Sequence, residues 1–359
     1  MNEEFIAALK EIVKDKGISE DFLFTAIEDA LVSAYKKNYS KYTNNSQNVK
    51  VTIDRVLGDI HVYAQKKVID GLWDEINEIE LEDAKEIDPR YEEGDVIDIE
   101  VTPREFGRVA AQSAKQVVVQ RIKEAERNVV YEELLEKEFD IITGTVLRKD
   151  KGNVFIHLGK LEAILGPNEQ IPTEKYDFNQ KIKLYIVEVK KTTKGPQVVI
   201  SRTHPGLVKR LFELEVPEIF EGIVEIKGIS REAGSRSKVA VFSKDENVDP
   251  MGACVGPKGI RVQNIVDELN DEKIDIIQWN SDPTIFIANA LSPAKVLKVI
   301  IESEESKSAK IIVDDSQLSL AIGKEGQNVR LAARLTGWKI DIKSKSQVDN
   351  VEEILIEEE

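Results

Sequence analysis

The sequence predicts a multidomain α+β protein, and three observations carry that expectation. The chain has 359 residues, enough for about two to four cores. Its hydrophobic period changes from helical to alternating near residue 138. Its last third contains one pattern twice: strand, helix, a G-x-x-G turn, helix, strand.

The first 130 residues read as mixed α/β. "MNEEFIAALKEIVKDKG" has acids where a secretory signal has bases, with apolar residues at helical spacing, so it reads as mature structure. Ser19 is placed to cap a helix whose first turn holds Glu20 and Asp21, with Leu23, Ile27, Leu31 and Ala34 on one face. "NVKVTIDRVLGDIHVYAQKKV" predicts two strands joined through Leu57-Gly58-Asp59. A long helix follows Pro103, its stripe being Val109, Ala110, Ala114, Val117, Val118, Ile122, Ala125 and Val129. Arg104, Arg108 and Lys115 fall on one flank of it, as a solvated face or as a binding surface.

From Glu138 to Arg202 the alternation gives five short strands, the last two around a Lys-Gly-Pro loop, which suits a small OB barrel. Phe155 and His157 sit two apart on one strand and face the same way, a pair on which bases can stack. The alternative is Phe155 in the core and His157 at the surface. "THPGLVKRLFELEVPEIFEG" reads as a short, partly helical connector, with Pro205-Gly206 breaking the preceding strand and Pro217 limiting the helix between them.

The repeat lies beyond it. With 20 glycines in 359 positions about one G-x-x-G arises by chance, so the surroundings decide. Gly256-Pro257-Lys258-Gly259 and Gly323-Lys324-Glu325-Gly326 follow Val255 and Ile322, and Val262 and Val329 lie three residues past each second glycine. Lys-Ile-Asp-Ile then recurs at 273–276 and 339–342, and "SKVAVFS" and "SAKIIV" precede the two copies as strands. Paired glycines let a backbone approach another chain, and the next helix offers unpaired N–H groups and the positive end of its dipole. Lys258 and Lys324 add a cation to each turn, and Arg261 and Arg330 follow on the next helices. A single-stranded sugar-phosphate backbone is the partner this chemistry suits, as in a KH domain. Glu325 in the second turn opposes phosphate.

The formal charge of −16 taken alone argues against nucleic acid, but its distribution weakens that objection, and a clamp of backbone N–H groups needs fewer lysines than a duplex-binding stripe. Residues 1–130 hold 27 acids against 18 bases, and residues 346–359 hold six acids and no base. One cysteine excludes an internal disulfide, and three histidines without ligand spacing give no zinc site. With no phosphate loop, no H-E-x-x-H and no nucleophile-base set, the expectation is no enzyme, no catalytic or metal residues and no cofactor. No apolar run approaches the roughly 20 residues that span a bilayer, so the expected place is the cytoplasm with no membrane partner.

"TPREFGRVAAQSAKQVVVQRIKEAER" (102–127), "SRTHPGLVKRLFELEVPEIFEGIVEIKGISREAGSRSKVAV" (201–241) and "DPMGACVGPKGIRVQNIVDEL" (249–269) resemble the NusA family of transcription elongation factors. The barrel is similar to the OB domain of ribosomal protein S-one, with Gly152 where many relatives place a first stacking aromatic.

The resemblance implies a fold in parts: an RNA polymerase-binding N-terminal α/β domain with a long helix (1–130), a five-stranded OB barrel (131–203), two tandem type II KH domains (204–280 and 281–346) and an acidic tail (347–359). It implies a non-catalytic monomer that binds RNA polymerase core and single-stranded nascent RNA, together with other antitermination factors, and modulates pausing, termination and antitermination. Arg104, Arg108 and Lys115 then become a surface near the RNA exit channel. The alternative is a KH/OB protein-binding scaffold or an RNA-processing accessory factor without polymerase contact.

Overall fold

The computed structural model describes residues 3–16, 19–39, 47–71, 74–193 and 195–347. The expected acidic tail beyond Gln347 and Lys194 of the Lys-Gly-Pro loop lie outside them. The chain divides into two compact units, Met1–Glu132 and Glu133–Glu359.

In the first unit, α1 (Glu3–Lys16) and α2 (Glu20–Tyr39) precede a four-stranded sheet. β2 (Ile60–Ile69) is its centre. It pairs antiparallel with β1 (Val49–Ile53) and β4 (Val96–Glu100), and its end runs parallel to β3 (Glu78–Glu80). The β1–β2 turn forms as expected, because Asp54 Oδ1 accepts from the amides of Val56 and Leu57, and Gly58 adopts φ 77°. On α2 the buried stripe is Leu23, Phe24, Ile27, Leu31 and Tyr35; Ala34 is only half-buried. β3, α3 (Leu81–Ile87) and β4 enclose a second small core of Val68, Ala84 and Ile97.

α4 (Phe106–Leu135) packs on the first core through Phe106, Ala110, Ala114 and Val118. The alanines let the helix lie close, and Phe106 meets Tyr35 edge-on with ring centroids 5.7 Å apart. The expected stripe does not continue to its end. Ile122 is the last residue on that core, and Val129 is 50% exposed.

The second unit begins with a closed barrel in the order β5-β6-β7-β9-β8. Its strands are β5 (Ile141–Asp150), β6 (Asn153–His157), β7 (Glu162–Leu165), β8 (Lys181–Thr192) and β9 (Gly195–Ser201). Gly144 permits closure, since a Cβ there would lie 2.3 Å from Ile156 Cγ2.

The two repeats fold alike. The first is α5 (Pro205–Glu215), α6 (Pro217–Phe220), β10 (Val224–Glu232), β11 (Arg236–Ser243), α7 (Pro250–Val255), α8 (Ile260–Glu268) and β12 (Lys273–Gln278). The second is α9 (Pro283–Ala290), β13 (Val296–Ser303), β14 (Ser308–Val313), α10 (Asp315–Ile322), α11 (Gln327–Thr336) and β15 (Lys339–Ser344). In each, the first two strands are antiparallel and the third runs parallel to the second. The repeated Lys-Ile-Asp-Ile is the start of that third strand.

Residues 203–222 are not a connector. Leu207, Val208, Leu211 and Phe212 of α5 are buried against Val239, Ile265 and the barrel's Tyr185, so this helix is the first repeat's own core element. The strand does end before Pro205, but Pro205 and Pro217 each also occupy a helix start, where the missing N–H costs nothing. His204 caps α5 by accepting from Gly206 N at 3.0 Å, and its ring stacks on Tyr185 at 4.7 Å.

Two tests follow from that joint. A Cβ at Gly206 would lie 2.3 Å from Tyr185 Cζ, so Gly206→Ala destabilises the second unit by about 2–4 kcal/mol in urea unfolding. Adding Tyr185→Leu recovers part of that loss. Burial holds the His204 imidazole below its ordinary 6.5, and protonation also removes its acceptor nitrogen. Its contribution is therefore present above about pH 6.5 and falls away on acidification. His204→Asn, which keeps a capping acceptor, flattens the dependence of melting temperature on pH between 7 and 5.

Candidate nucleic-acid interface

Each G-x-x-G turn joins a short helix to a longer one with nearly the same backbone. Gly256, Lys258 and Gly259 have φ of 72°, 54° and 77°; Gly323, Glu325 and Gly326 have 76°, 52° and 74°. A side chain in this region costs roughly 1–2 kcal/mol, which explains glycine at both ends. Lys258 and Glu325 are held there by the surrounding fold.

The two glycines of a turn do different work. A Cβ at Gly256 would lie 2.6 Å from Arg261 Cγ, and one at Gly323 would lie 2.8 Å from both the Cβ and the backbone N of Asn328. A Cβ at Gly259 would meet nothing within 4 Å, and one at Gly326 only Arg330 Nη1 at 4.0 Å. The first glycine accommodates the protein's own packing, and the second leaves open ground for an approaching chain.

The amides depart from expectation. Gly259 N donates to Gly256 O at 3.1 Å and Gly326 N to Gly323 O at 3.2 Å, while the amides of Ile260 and Gln327 bond to the carbonyls of Pro257 and Lys324. Those four N–H groups close the turns instead of facing outward. Anion attraction is left to the uncapped first turns of α8 and α11 and to Lys258 and Lys324. Both lysines are exposed and make no ion pair among the described residues. Pro257 and Glu325 are exposed beside them, and Ile260, Leu320 and Ile322 add apolar surface that a base can cover.

The arginines are engaged within the protein. Arg261 Nη1 donates to Ala253 O at 2.7 Å and to Glu218 at 2.9 Å, so it braces the end of α7 and leaves no free cation for phosphate. Arg330 binds Glu232 of the first repeat and donates to Glu325 O at 3.2 Å. Sequence reasoning missed Asn328, which is buried and donates to Leu291 O at 2.9 Å and Ala321 O at 3.1 Å. It stands five residues past its turn's first glycine, as Arg261 does, and that shared spacing was the available signal.

On the barrel, Phe155 and His157 both point outward, between buried Val154 and Ile156. His157 is exposed, but Phe155 is half-covered: the Arg148 guanidinium lies 3.9 Å from its ring centroid, held by two bonds to Glu162 at 2.9 and 2.8 Å. In the other unit, Arg108 and Lys115 lie on α4, but Arg104 stands in the turn before its start at Phe106 and not on the helix as expected; all three are exposed and have no ion-pair partner among the described residues.

A closed OB barrel followed by two α+β domains with open G-x-x-G turns defines an RNA-binding protein of the OB and KH class. Four family models match the chain: the NusA N-terminal domain over residues 4–128, the S1 RNA binding domain over 137–201, and the NusA-like first and second KH domains over 202–279 and 283–350. The chain is 56% identical to the transcription termination/antitermination protein NusA of Halalkalibacterium halodurans, over 98% of this chain and 91% of that one. It is 58% identical to that of Bacillus subtilis (96% and 92% covered) and 44% identical to that of Thermus thermophilus (99% and 93% covered). The chain belongs to the NusA family: it is a transcription termination/antitermination factor with S1 and KH RNA-binding domains. No helix among the described residues is long and apolar enough to cross a membrane.

The inequality of the glycines is testable by alanine substitution. Gly259→Ala adds only backbone strain and costs about 1–2 kcal/mol. Gly323→Ala adds a clash with the backbone nitrogen of Asn328, which cannot swing aside, and costs about 2 kcal/mol more. Equal losses in denaturant titrations of the two variants would contradict the packing described.

Proposed function

We propose that the two turns, on the one compact unit from Glu133 onward, hold single-stranded nascent RNA while residues 1–130 bind RNA polymerase core. The observation that carries this reading is the pair of open second glycines, each beside an unpaired lysine and an uncapped helix start. The first turn is the stronger site, because its residues at the tip, Pro257 and Lys258, include no acid, whereas Glu325 offsets Lys324 in the second. The barrel adds His157 directly and Phe155 when Arg148 gives way to a base. Arg104, Arg108 and Lys115 supply the polymerase or exit-channel surface.

In this reading the protein acts as a cytoplasmic, non-catalytic monomer, joined by other antitermination factors, that alters pausing and termination through the path of the transcript. The domain limits follow the same logic: a polymerase-binding domain to residue 130, the barrel to 203, and KH domains to 280 and 346.

Replacing Pro257 and Lys258 by Asp, together with Lys324 and Glu325 by Asp, lowers affinity for an unstructured RNA about tenfold or more and flattens its salt dependence. Retention of core polymerase is unchanged in that variant. Charge reversal at Arg104, Arg108 and Lys115 has the converse effect, loss of polymerase with RNA binding kept. RNA affinity indifferent to the aspartates would favour a protein-binding scaffold.

A further inference from the structure

The two turns are not equally self-sufficient. The first is braced inside its own domain: among the described residues Arg261 reaches Ala253 and Glu218. The second is braced from the neighbouring one. Glu232, the last residue of β10 in the first KH domain, accepts from Arg330 Nε at 2.6 Å and Nη2 at 3.3 Å and from Gln327 Nε2 at 2.9 Å, with Arg334 Nη1 at 3.7 Å. Gln327 also reaches Ser235 Oγ at 2.7 Å.

Residues 327, 330 and 334 share one face of α11, the helix that leaves the second turn. The third arm of Arg330 donates to Glu325 O at 3.2 Å, and Glu325 is the residue of that turn held at φ 52°. Arg330 also holds the Glu232 carboxyl below the usual carboxylate range, with Gln327 and Arg334 acting in the same direction. A continuous set of bonds therefore runs from a carboxylate of the first domain to a strained peptide of the second turn.

We propose that Glu232 is a positioning residue for the second RNA clamp: through Arg330 it fixes the Glu325–Gly326 peptide, so that this turn grips phosphate only while seated on the first KH domain. The proposal rests on the reading that the turns bind RNA. It assigns Arg330 to the turn, not to phosphate. The competing role, Glu232 as a mask that keeps Arg330 from RNA, predicts the opposite sign.

The test is a set of variants of the full chain, measured by affinity for an unstructured RNA of about twenty nucleotides, long enough to reach both turns at roughly four nucleotides per KH domain. Glu232→Gln keeps size and removes charge, and it weakens binding about threefold to tenfold. With Lys324 and Glu325 already replaced by Asp, the same change has no further effect, whereas with Pro257 and Lys258 replaced it keeps its full effect.

Arg330→Lys, which keeps a cation beside Glu232 but lacks the separate arm that reaches Glu325 O, gives a similar loss and serves if Glu232→Gln unfolds. Tighter binding with a steeper salt dependence in Glu232→Gln would establish masking and overturn the proposal. Equal losses in both aspartate backgrounds would show general loosening, and no change at all would also overturn it. If the four aspartates together leave RNA affinity intact, the RNA reading itself has failed, an outcome distinct from all of these.

Discussion

The buried guanidinium of Arg202 fixes the barrel to the first KH domain. It is 1% exposed and lies between the two folds, where an unpaired charge would cost several kcal/mol. Every arm has a partner: Glu174 in the barrel, the carbonyl of Lys183 at 2.8 Å, and both the carboxylate and the carbonyl of Glu268 at the end of α8. Arg231 repeats the arrangement close by, binding Glu272 through two arms at 2.9 Å and His204 O through the third at 2.9 Å. Rotating the barrel away would take both Glu268 bonds from the buried Arg202, whereas Arg231 would keep its partners, which all lie in the first KH domain. Because α8 starts at the first turn and ends at Glu268, the same bonds that satisfy Arg202 also set where that turn stands relative to the barrel.

The turns show how an acidic protein can offer local surfaces suited to a phosphate backbone. Neither draws on a basic stripe. Each combines a missing Cβ, a helix start without a capping side chain and one lysine, placed at the third position of the first turn and the second position of the other. Most nearby arginines are already neutralised by carboxylates, Arg148 by Glu162, Arg261 by Glu218 and Arg330 by Glu232, so net charge says little about the surface a transcript would meet. What remains is local potential and shape, which suits a flexible single strand better than a duplex.

Much of this was legible in the residues because it is periodic or repeated. The barrel's alternation, the helical stripe of α2 and the duplicated motif each leave a pattern that needs no partner to be read. What escaped was set by tertiary contact. Pro205 and Pro217 carry the same local signal whether they end one element or begin the next, and the burial of Leu207, Val208, Leu211 and Phe212 against Tyr185 is what makes α5 a core element and not a connector. The α4 stripe runs to Val129 in the sequence, but the core it packs on ends near Ile122. Arg148 over Phe155 depends on an approach between strands that no spacing along the chain encodes, whereas Asn328 beneath Gly323 shares its offset with Arg261 and was there to be read.

The repeated tetrapeptide shows how far the two copies have diverged in use. In the first, Asp275 pairs with Arg236 at 2.7 Å and with the buried Lys238 at 3.1 Å, and Lys238 also donates to Ser292 O at the entrance to the second domain. In the second, Asp341 occupies the same strand position and, among the described residues, pairs only with Lys343, at 3.7 Å and well exposed. The first copy is flanked by a domain on each side, so its polar positions are taken into the seams. Identical residues in identical strands thus become structural in one copy and solvated in the other. The same asymmetry makes the first turn self-braced and leaves the second dependent on its neighbour.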